Sequence, residues 1–185
     1  MKAFNPENNQ LIRRSSNLAL SSEDMIPGKG YQAVFAYGSN LNLERLKSRA
    51  RNWDGRYKAA FLLNYELRFN LCVNISTEQA RVGANVVPHP TRRVRGILVN
   101  LNQDDLFEID KCEGHPKWYK RIKLHIELED SSRVEAFAYV AQPLWIKEGV
   151  LPSADYLDHI VRGACSCGLP SDYIQAIYKL GKGLI

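Results

Sequence analysis

Apolar and polar positions alternate over several short stretches of this chain and fall at helical spacing over only a few. Residues 32–37 combine small and aromatic side chains and predict a strand, which stops at the turn tripeptide Gly38-Ser39-Asn40. Asn42 is placed to cap a short helix over 43–49, with Leu43 and Leu46 on one face. Residues 57–63 and 65–71, rich in Leu and aromatics, predict one long bent strand. A strand over 84–87 is expected to end at Pro88-His89-Pro90, a turn with little freedom, and a strand over 94–101 follows. Gly96 inside that strand signals a bulge or a close backbone approach.

Asn102 then caps a helix over 103–111, which Gly114 and Pro116 end. Residues 121–128 and 133–141 alternate well, with a polar hairpin turn between them. Ser153 caps a helical region in which Tyr156, Ile160 and Gly163 share helical spacing, and Leu169-Pro170-Ser171 opens a last helix running to Leu180. Many strands, few helices and no regular strand–helix alternation predict an α+β fold with a curled sheet or barrel.

Residues 1–30 are polar, rich in Ser and Asn, and end in Pro27-Gly28-Lys29-Gly30. They read as a loosely held extension outside the core, with a short amphipathic turn at 18–20 able to dock on the surface. Residues 31–185 form the single domain that a chain of 185 residues suggests. With 45% hydrophobic and 24% charged residues the composition is globular, which excludes collagen-like and low-complexity classes. The formal net charge of +5 is mild and spread, with local crowding at Arg81, Arg92, Arg93 and Arg95. That excess suits an anionic small molecule as well as a polymer, but no RNP or zinc pattern accompanies it, so no nucleic-acid partner is expected. The spacing of Cys165 and Cys167 fits neither zinc nor redox motifs, and with Cys72 and Cys112 they read as reduced thiols. His89, His115, His125 and His159 lack ligand spacing, so no metal is expected. Neither a signal-peptide core nor a membrane-length apolar run is present. The expectation is a soluble, cytoplasmic protein with no membrane partner.

Two places could carry chemistry. The glycine turn at Tyr37-Gly38-Ser39-Asn40 lies between a strand and a helix, where backbone N–H groups can form a nest for a carboxylate or an oxyanion. Ser39 is a poor nucleophile, since no G-x-S-x-G elbow or nearby His activates it. Glu113 stands at a helix end beside Gly114 and ahead of Trp118 and Tyr119, whose bulk would strip its hydration and make it a usable base. Residue types alone leave both as an ordinary turn and an ordinary helix-end carboxylate.

In order along the chain, Phe35-Ala36-Tyr37-Gly38-Ser39-Asn40-Leu41, Asp110-x-x-Glu113-Gly114 with Tyr119-Lys120-Arg121, and Tyr156 with Gly168-Leu169-Pro170 and Tyr173 resemble the γ-glutamylcyclotransferase family over roughly residues 32–180. The resemblance implies a small mixed α/β fold built on a closed β-barrel with flanking helices and a pocket at the barrel mouth. It implies an enzyme that cyclises a γ-glutamyl group to 5-oxoproline and releases an amino acid or amine, with a small γ-glutamyl compound as its partner and a monomer or homodimer as its state. Glu113 would be the general acid/base. Val34, Phe35, Ala36, Tyr37, Gly38, Ser39, Asn40, Tyr119, Tyr139 and Tyr156 would bind substrate, the turn holding either the α-carboxylate or the oxyanion. No metal or organic cofactor is implied, because the nucleophile belongs to the substrate. The Gly-Ser-Asn turn is closer to members acting on γ-glutamyl amino acids than to amine-specific ones, which typically read Gly-Thr-Leu. A non-catalytic module binding a γ-glutamyl or amino-acid ligand is the alternative on the same scaffold, and a basic RNA-associated protein using the Arg81–Arg95 cluster is a third reading.

Overall fold

The computed structural model describes residues 21–74 and 81–185. Strands β1 (Tyr31–Ala36), β2 (Lys58–Val73), β3 (Arg81–Asn102), β4 (Tyr119–Leu128) and β5 (Arg133–Ala141) close into a barrel in the order β1-β3-β2-β4-β5. Helices α1 (Leu43–Arg49), α2 (Gln103–Glu113), α3 (Ala154–Ser166) and α4 (Ser171–Gly181) accompany it. Neighbouring strands are antiparallel except at the closure, where β1 meets β5 in parallel through the pair Val34↔Phe137. Phe35, Ile97, Leu98, Leu101, Leu106, Ile109 and Ile126 are fully buried, each contributing about 1.5–3 kcal/mol of burial free energy.

Local start and stop signals act where the sequence puts them. The side chain of Asn42 accepts from Arg45 N at 2.9 Å, that of Asn102 from Asp105 N at 2.8 Å and that of Ser153 from Tyr156 N at 3.2 Å. Each satisfies a backbone donor that the first helical turn leaves open. Helix α2 runs two residues past its expected end, through Glu113, and stops at Gly114 in the left-handed conformation (φ 66°). The expected long bent strand is β2, and its bend falls where Asn64 adopts φ 61° and the register with β3 slips between Leu63 and Tyr65.

Two expectations are corrected. Pro88-His89-Pro90 is not a turn between strands but lies inside β3. The step from Tyr65 to Leu63 on β2 faces the much longer step from Pro88 to Arg93 on β3, and most of that stretch is exposed. The imino nitrogens therefore sit in slack, solvent-facing backbone where no ladder bond is lost. The second correction concerns the extension at 1–30. Residues 1–20 and the turn expected at 18–20 lie outside the described residues, but Met25, in a short 3-10 turn, is 2% exposed and belongs to the core. A long thioether fills an irregular gap that the polar sequence around it does not advertise.

Two glycines bring backbone against backbone near the end of β1. A Cβ on Gly96 would enter the carbonyl oxygen of Ala36 and the ring of Phe35, which is the close approach expected from the sequence. A Cβ on Gly163 would enter Asn42 N and the carbonyl of Leu41, so α3 docks directly on the turn before α1. Cys167 Sγ donates to Leu41 O at 3.3 Å in the same contact. Among the described residues no helix is long and apolar enough to cross a membrane. Because neither side of the α3 contact can give, Gly163→Ala is expected to lower stability by about 1–3 kcal/mol. A thermal melt or urea titration with an unchanged midpoint would show that α3 is free to shift.

Candidate functional site

Strand β1 delivers Phe35, Ala36 and Tyr37 to the barrel mouth, and the chain turns at Gly38 into a 3-10 turn (Ser39–Leu41) that runs on to α1. Leu41 N donates to Gly38 O and Asn42 N to Ser39 O. The N–H groups of Gly38, Ser39 and Asn40 have no hydrogen-bond acceptor among the described residues. Such a cluster of free donors is the physical content of an anion-binding nest.

Glu113 reaches the same place from α2. Gly114 reverses the chain after it, and a Cβ there would strike the Trp118 ring, so the reversal and the packed indole both require glycine. Glu113 Oε1 accepts from Asn40 Nδ2 at 3.1 Å and from Arg49 Nη1 at 3.2 Å, and the same Arg49 nitrogen donates to Asn40 Oδ1 at 2.7 Å. This closed triangle fixes the carboxylate against the turn. The Arg49 and Glu113 side chains are only 15% and 17% exposed. Both hydrogen bonds fall on Oε1, and among the described residues nothing is bonded to Oε2. Burial pushes the Glu113 carboxyl above the usual carboxylate range, while Arg49, Asn40 and Arg45 pull it partly back.

Four tyrosines wall the cleft, and three have their protons committed. Tyr37 donates to the Tyr139 carbonyl, Tyr119 to the Ala84 carbonyl and Tyr139 to Asp110 Oδ1 at 2.7 Å, where Arg121 also holds Asp110. Tyr156, on α3, is the exception. Its oxygen accepts from Ala84 N at 3.0 Å beside the Ser39 hydroxyl, and among the described residues no carbonyl or carboxylate takes its proton. That hydroxyl lies 3.7 Å from where a Gly38 Cβ would be. Burial raises its pKa to about 12, so it stays protonated at neutral pH and faces the cleft as a donor.

The cleft is lined by Phe35, Ala36, Tyr37, Gly38, Ser39, Asn40, Glu113, Tyr119, Tyr139 and Tyr156, all of them expected from the sequence. Val34 is not a lining residue. It is 4% exposed and spent on barrel closure, paired with Val99 and Phe137. Two contributors were not anticipated. Ala84 lines the cleft and its two backbone groups hold Tyr156 and Tyr119, a role that an alanine side chain cannot signal. The neighbouring Gly83 gives the available hint, since a Cβ there would lie 2.6 Å from the Tyr119 hydroxyl. Arg49 is the other. The basic cluster lies elsewhere on β3, with Arg92 paired to Glu66 and Arg93 and Arg95 over the Phe61 ring. Among the described residues no group of His, Cys, Asp or Glu is gathered as a metal site, and all four cysteines are free thiols.

The model of the AIG2-like family matches residues 93–177. A gamma-glutamylcyclotransferase of Bos taurus is 30% identical over 148 residues, covering 79% of this chain and 77% of the relative. A solved structure of a gamma-glutamyl cyclotransferase superposes with TM-score 0.69 at 23% identity, covering 80% of this chain and 86% of that one. An uncharacterized human protein gives 0.70 at 23% identity over 81% and 88%. A yeast gamma-glutamyl cyclotransferase specific to glutathione gives 0.61 at 9% identity over 84% and 97%. These structures share the barrel with its flanking helices.

Removal of the opposing cation should leave burial dominant at Glu113. In Arg49→Met the Glu113 carboxyl is expected to titrate at higher pH than in the wild type, followed by carboxyl carbon NMR. An unchanged or lower midpoint would mean that Arg49 does not hold the charged form.

Proposed function

This chain belongs to the γ-glutamylcyclotransferase family and is an enzyme of that class, and we propose that Glu113 moves the proton in closure of a γ-glutamyl group to 5-oxoproline. The observation that carries the reading is a carboxylate fixed against a nest of free N–H groups, with one oxygen unoccupied. The substrate α-ammonium gives a proton to Glu113 Oε2. The freed amine attacks the γ-carbonyl carbon, and the C–N bond to the leaving amine breaks as Glu113 returns the proton to that nitrogen. The ring nitrogen sheds its second proton through the same carboxylate, and the leaving amine takes it up to depart as an ammonium. One C–N bond forms and one breaks, with no water consumed. Closure of a five-membered ring supplies the proximity, so the protein need only align the ends and stabilise charge. A group that takes a proton and gives it back within one turnover benefits from a pKa raised above that of an ordinary carboxyl, the direction in which burial moves Glu113.

The developing oxyanion calls for donors. The Tyr156 proton and the N–H groups of the Gly38–Asn40 turn stand together, so we assign Tyr156 to the reacting carbonyl and leave the remaining turn donors for the α-carboxylate. The chemistry needs neither metal nor organic cofactor from the protein. Free thiols suit a reducing compartment, and a cytoplasmic location follows from the same reading.

The test is 5-oxoproline release from a panel of γ-glutamyl amino acids, γ-glutamyl amines and glutathione. The wild type should release it, and Glu113→Gln, which keeps the shape, should lose at least about a hundredfold in kcat. Tyr156→Phe should lose about ten- to a hundredfold in kcat with a smaller change in KM. A Glu113→Gln enzyme with near-normal turnover would remove Glu113 from the mechanism. Thermal stabilisation by the panel without any 5-oxoproline from the wild type would favour a binding module instead.

A further inference from the structure

Helix α2 brings a second carboxylate to the neighbourhood of the cleft. Asp110 stands one turn before Glu113, so the two lie on one face of the helix. Glu113 lines the cleft and Asp110 does not. Asp110 instead holds a residue that does, accepting from the Tyr139 hydroxyl on Oδ1 at 2.7 Å. Arg121 Nη1 donates to Asp110 Oδ2, also at 2.7 Å. Arg121 and Tyr139 are direct partners in the register of β4 with β5, so one cross-strand pair grips both oxygens of a single, mostly buried carboxylate. Arg121 is itself fixed, its N–H donating to His115 Nδ1 at 3.2 Å and its guanidinium lying over the Phe137 ring.

A phenol has one proton, and the group that takes it decides what the oxygen can offer elsewhere. The Tyr139 proton goes to Asp110, outside the cleft lining, which leaves the oxygen with lone pairs and nothing to donate. Burial and the Asp110 carboxylate hold this hydroxyl above its ordinary pKa, so it stays neutral and is no base. Tyr37 and Tyr119 give their protons to main-chain carbonyls, which no substitution removes. At Tyr139 the acceptor is a side chain. A neutral acceptor in the same cleft as the Glu113 carboxylate suits a cation with several N–H groups, and the α-ammonium of a γ-glutamyl group is one.

We propose that Asp110 is a positioning residue: by taking the Tyr139 proton it makes the Tyr139 oxygen an acceptor for the substrate α-ammonium, which Glu113 then deprotonates. This rests on the γ-glutamyl reading above. The ammonium is held by two groups of which only one is a base, so the proton it gives up goes to Glu113. Arg121 makes the arrangement directional. A guanidinium only donates, so it selects an oxygen from whatever residue stands at position 110. In Asp110→Asn the amide oxygen goes to Arg121, and the amide NH2 faces Tyr139 and donates to its oxygen. The phenol proton then turns toward the cleft, against the ammonium.

The probes are γ-glutamylalanine, followed by 5-oxoproline release, and glutarylalanine, an inhibitor that lacks only the α-amino group and cannot cyclise. Tyr139→Phe is expected to raise KM for γ-glutamylalanine by about three- to tenfold, and Asp110→Asn by about tenfold or more, with smaller changes in kcat. In the double variant no phenol proton is left to face the ammonium, so KM should fall back to the Tyr139→Phe value. The inhibition constant of glutarylalanine should be unchanged by Asp110→Asn. A merely structural Asp110 would weaken both probes alike and would add its loss to that of Tyr139→Phe, and either result overturns the proposal. An unchanged KM in Asp110→Asn overturns it as well. Tyr139→Phe keeps the Asp110–Arg121 pair and tests the acceptor alone, so an unchanged KM there is equally fatal should Asp110→Asn not fold. Those results, with 5-oxoproline still released by the wild type, would leave the γ-glutamyl reading standing. No release from γ-glutamylalanine or any other member of the panel removes both.

Discussion

Main chain pressed against main chain at the end of β1 is the constraint on which the site rests. Gly96 lets β3 approach the Ala36 carbonyl from the barrel side, and Gly163 lets α3 settle on Leu41 and Asn42 from the helical side. With the segment from Ala36 to Asn42 gripped from two directions, the turn between has little room to move. Tyr156 arrives on the same helix as Gly163, so the docking that fixes the turn also sets the hydroxyl beside it. A Cβ at either glycine would push apart elements whose spacing is the site.

Electrostatics is layered on that frame as an unfinished balance. Desolvation acts against the Glu113 charge, and Arg49, Asn40 and Arg45 act for it. The first wins, leaving the carboxyl easier to protonate than an ordinary one. The tyrosines follow the opposite logic. Tyr37, Tyr119 and Tyr139 are tied to fixed acceptors, so they act as rigid walls whose dipoles do not reorient, while Tyr156 keeps one proton to give. Held dipoles around one free donor make a preorganised environment, which is where electrostatic stabilisation in an enzyme comes from.

Sequence reading recovered what local chemistry writes down. Asn42, Asn102 and Ser153 are caps because a short polar side chain before a helix has one backbone donor to satisfy, and Gly114 ends α2 because only glycine enters that conformation freely. The γ-glutamylcyclotransferase likeness added what residue types could not, namely that the turn and Glu113 belong to one cleft. Contributions made across space by the main chain or by common residues were not legible. Arg49 is one basic residue among many until α2 brings Glu113 to it, 64 residues along the chain. Ala84 works through its amide alone, and Met25 is apolar in a polar neighbourhood whose composition outvotes it. The proline pair in β3 misled because a rule about local stiffness ignores whether a ladder partner is waiting.

That slack stretch of β3 has a consequence for how the barrel can vary. Between Pro88 and Arg93 the strand bows away from a much shorter span of β2, and both flanks then resume their pairing. Length is decoupled from register there. Residues added to or removed from the bow change how far it bulges into solvent, not which side chains meet on either flank. A closed barrel has few places that admit insertion, since a one-residue slip elsewhere turns every core side chain outward. This one lies away from the cleft and gives the fold a seam at which it can be lengthened, labelled or spliced.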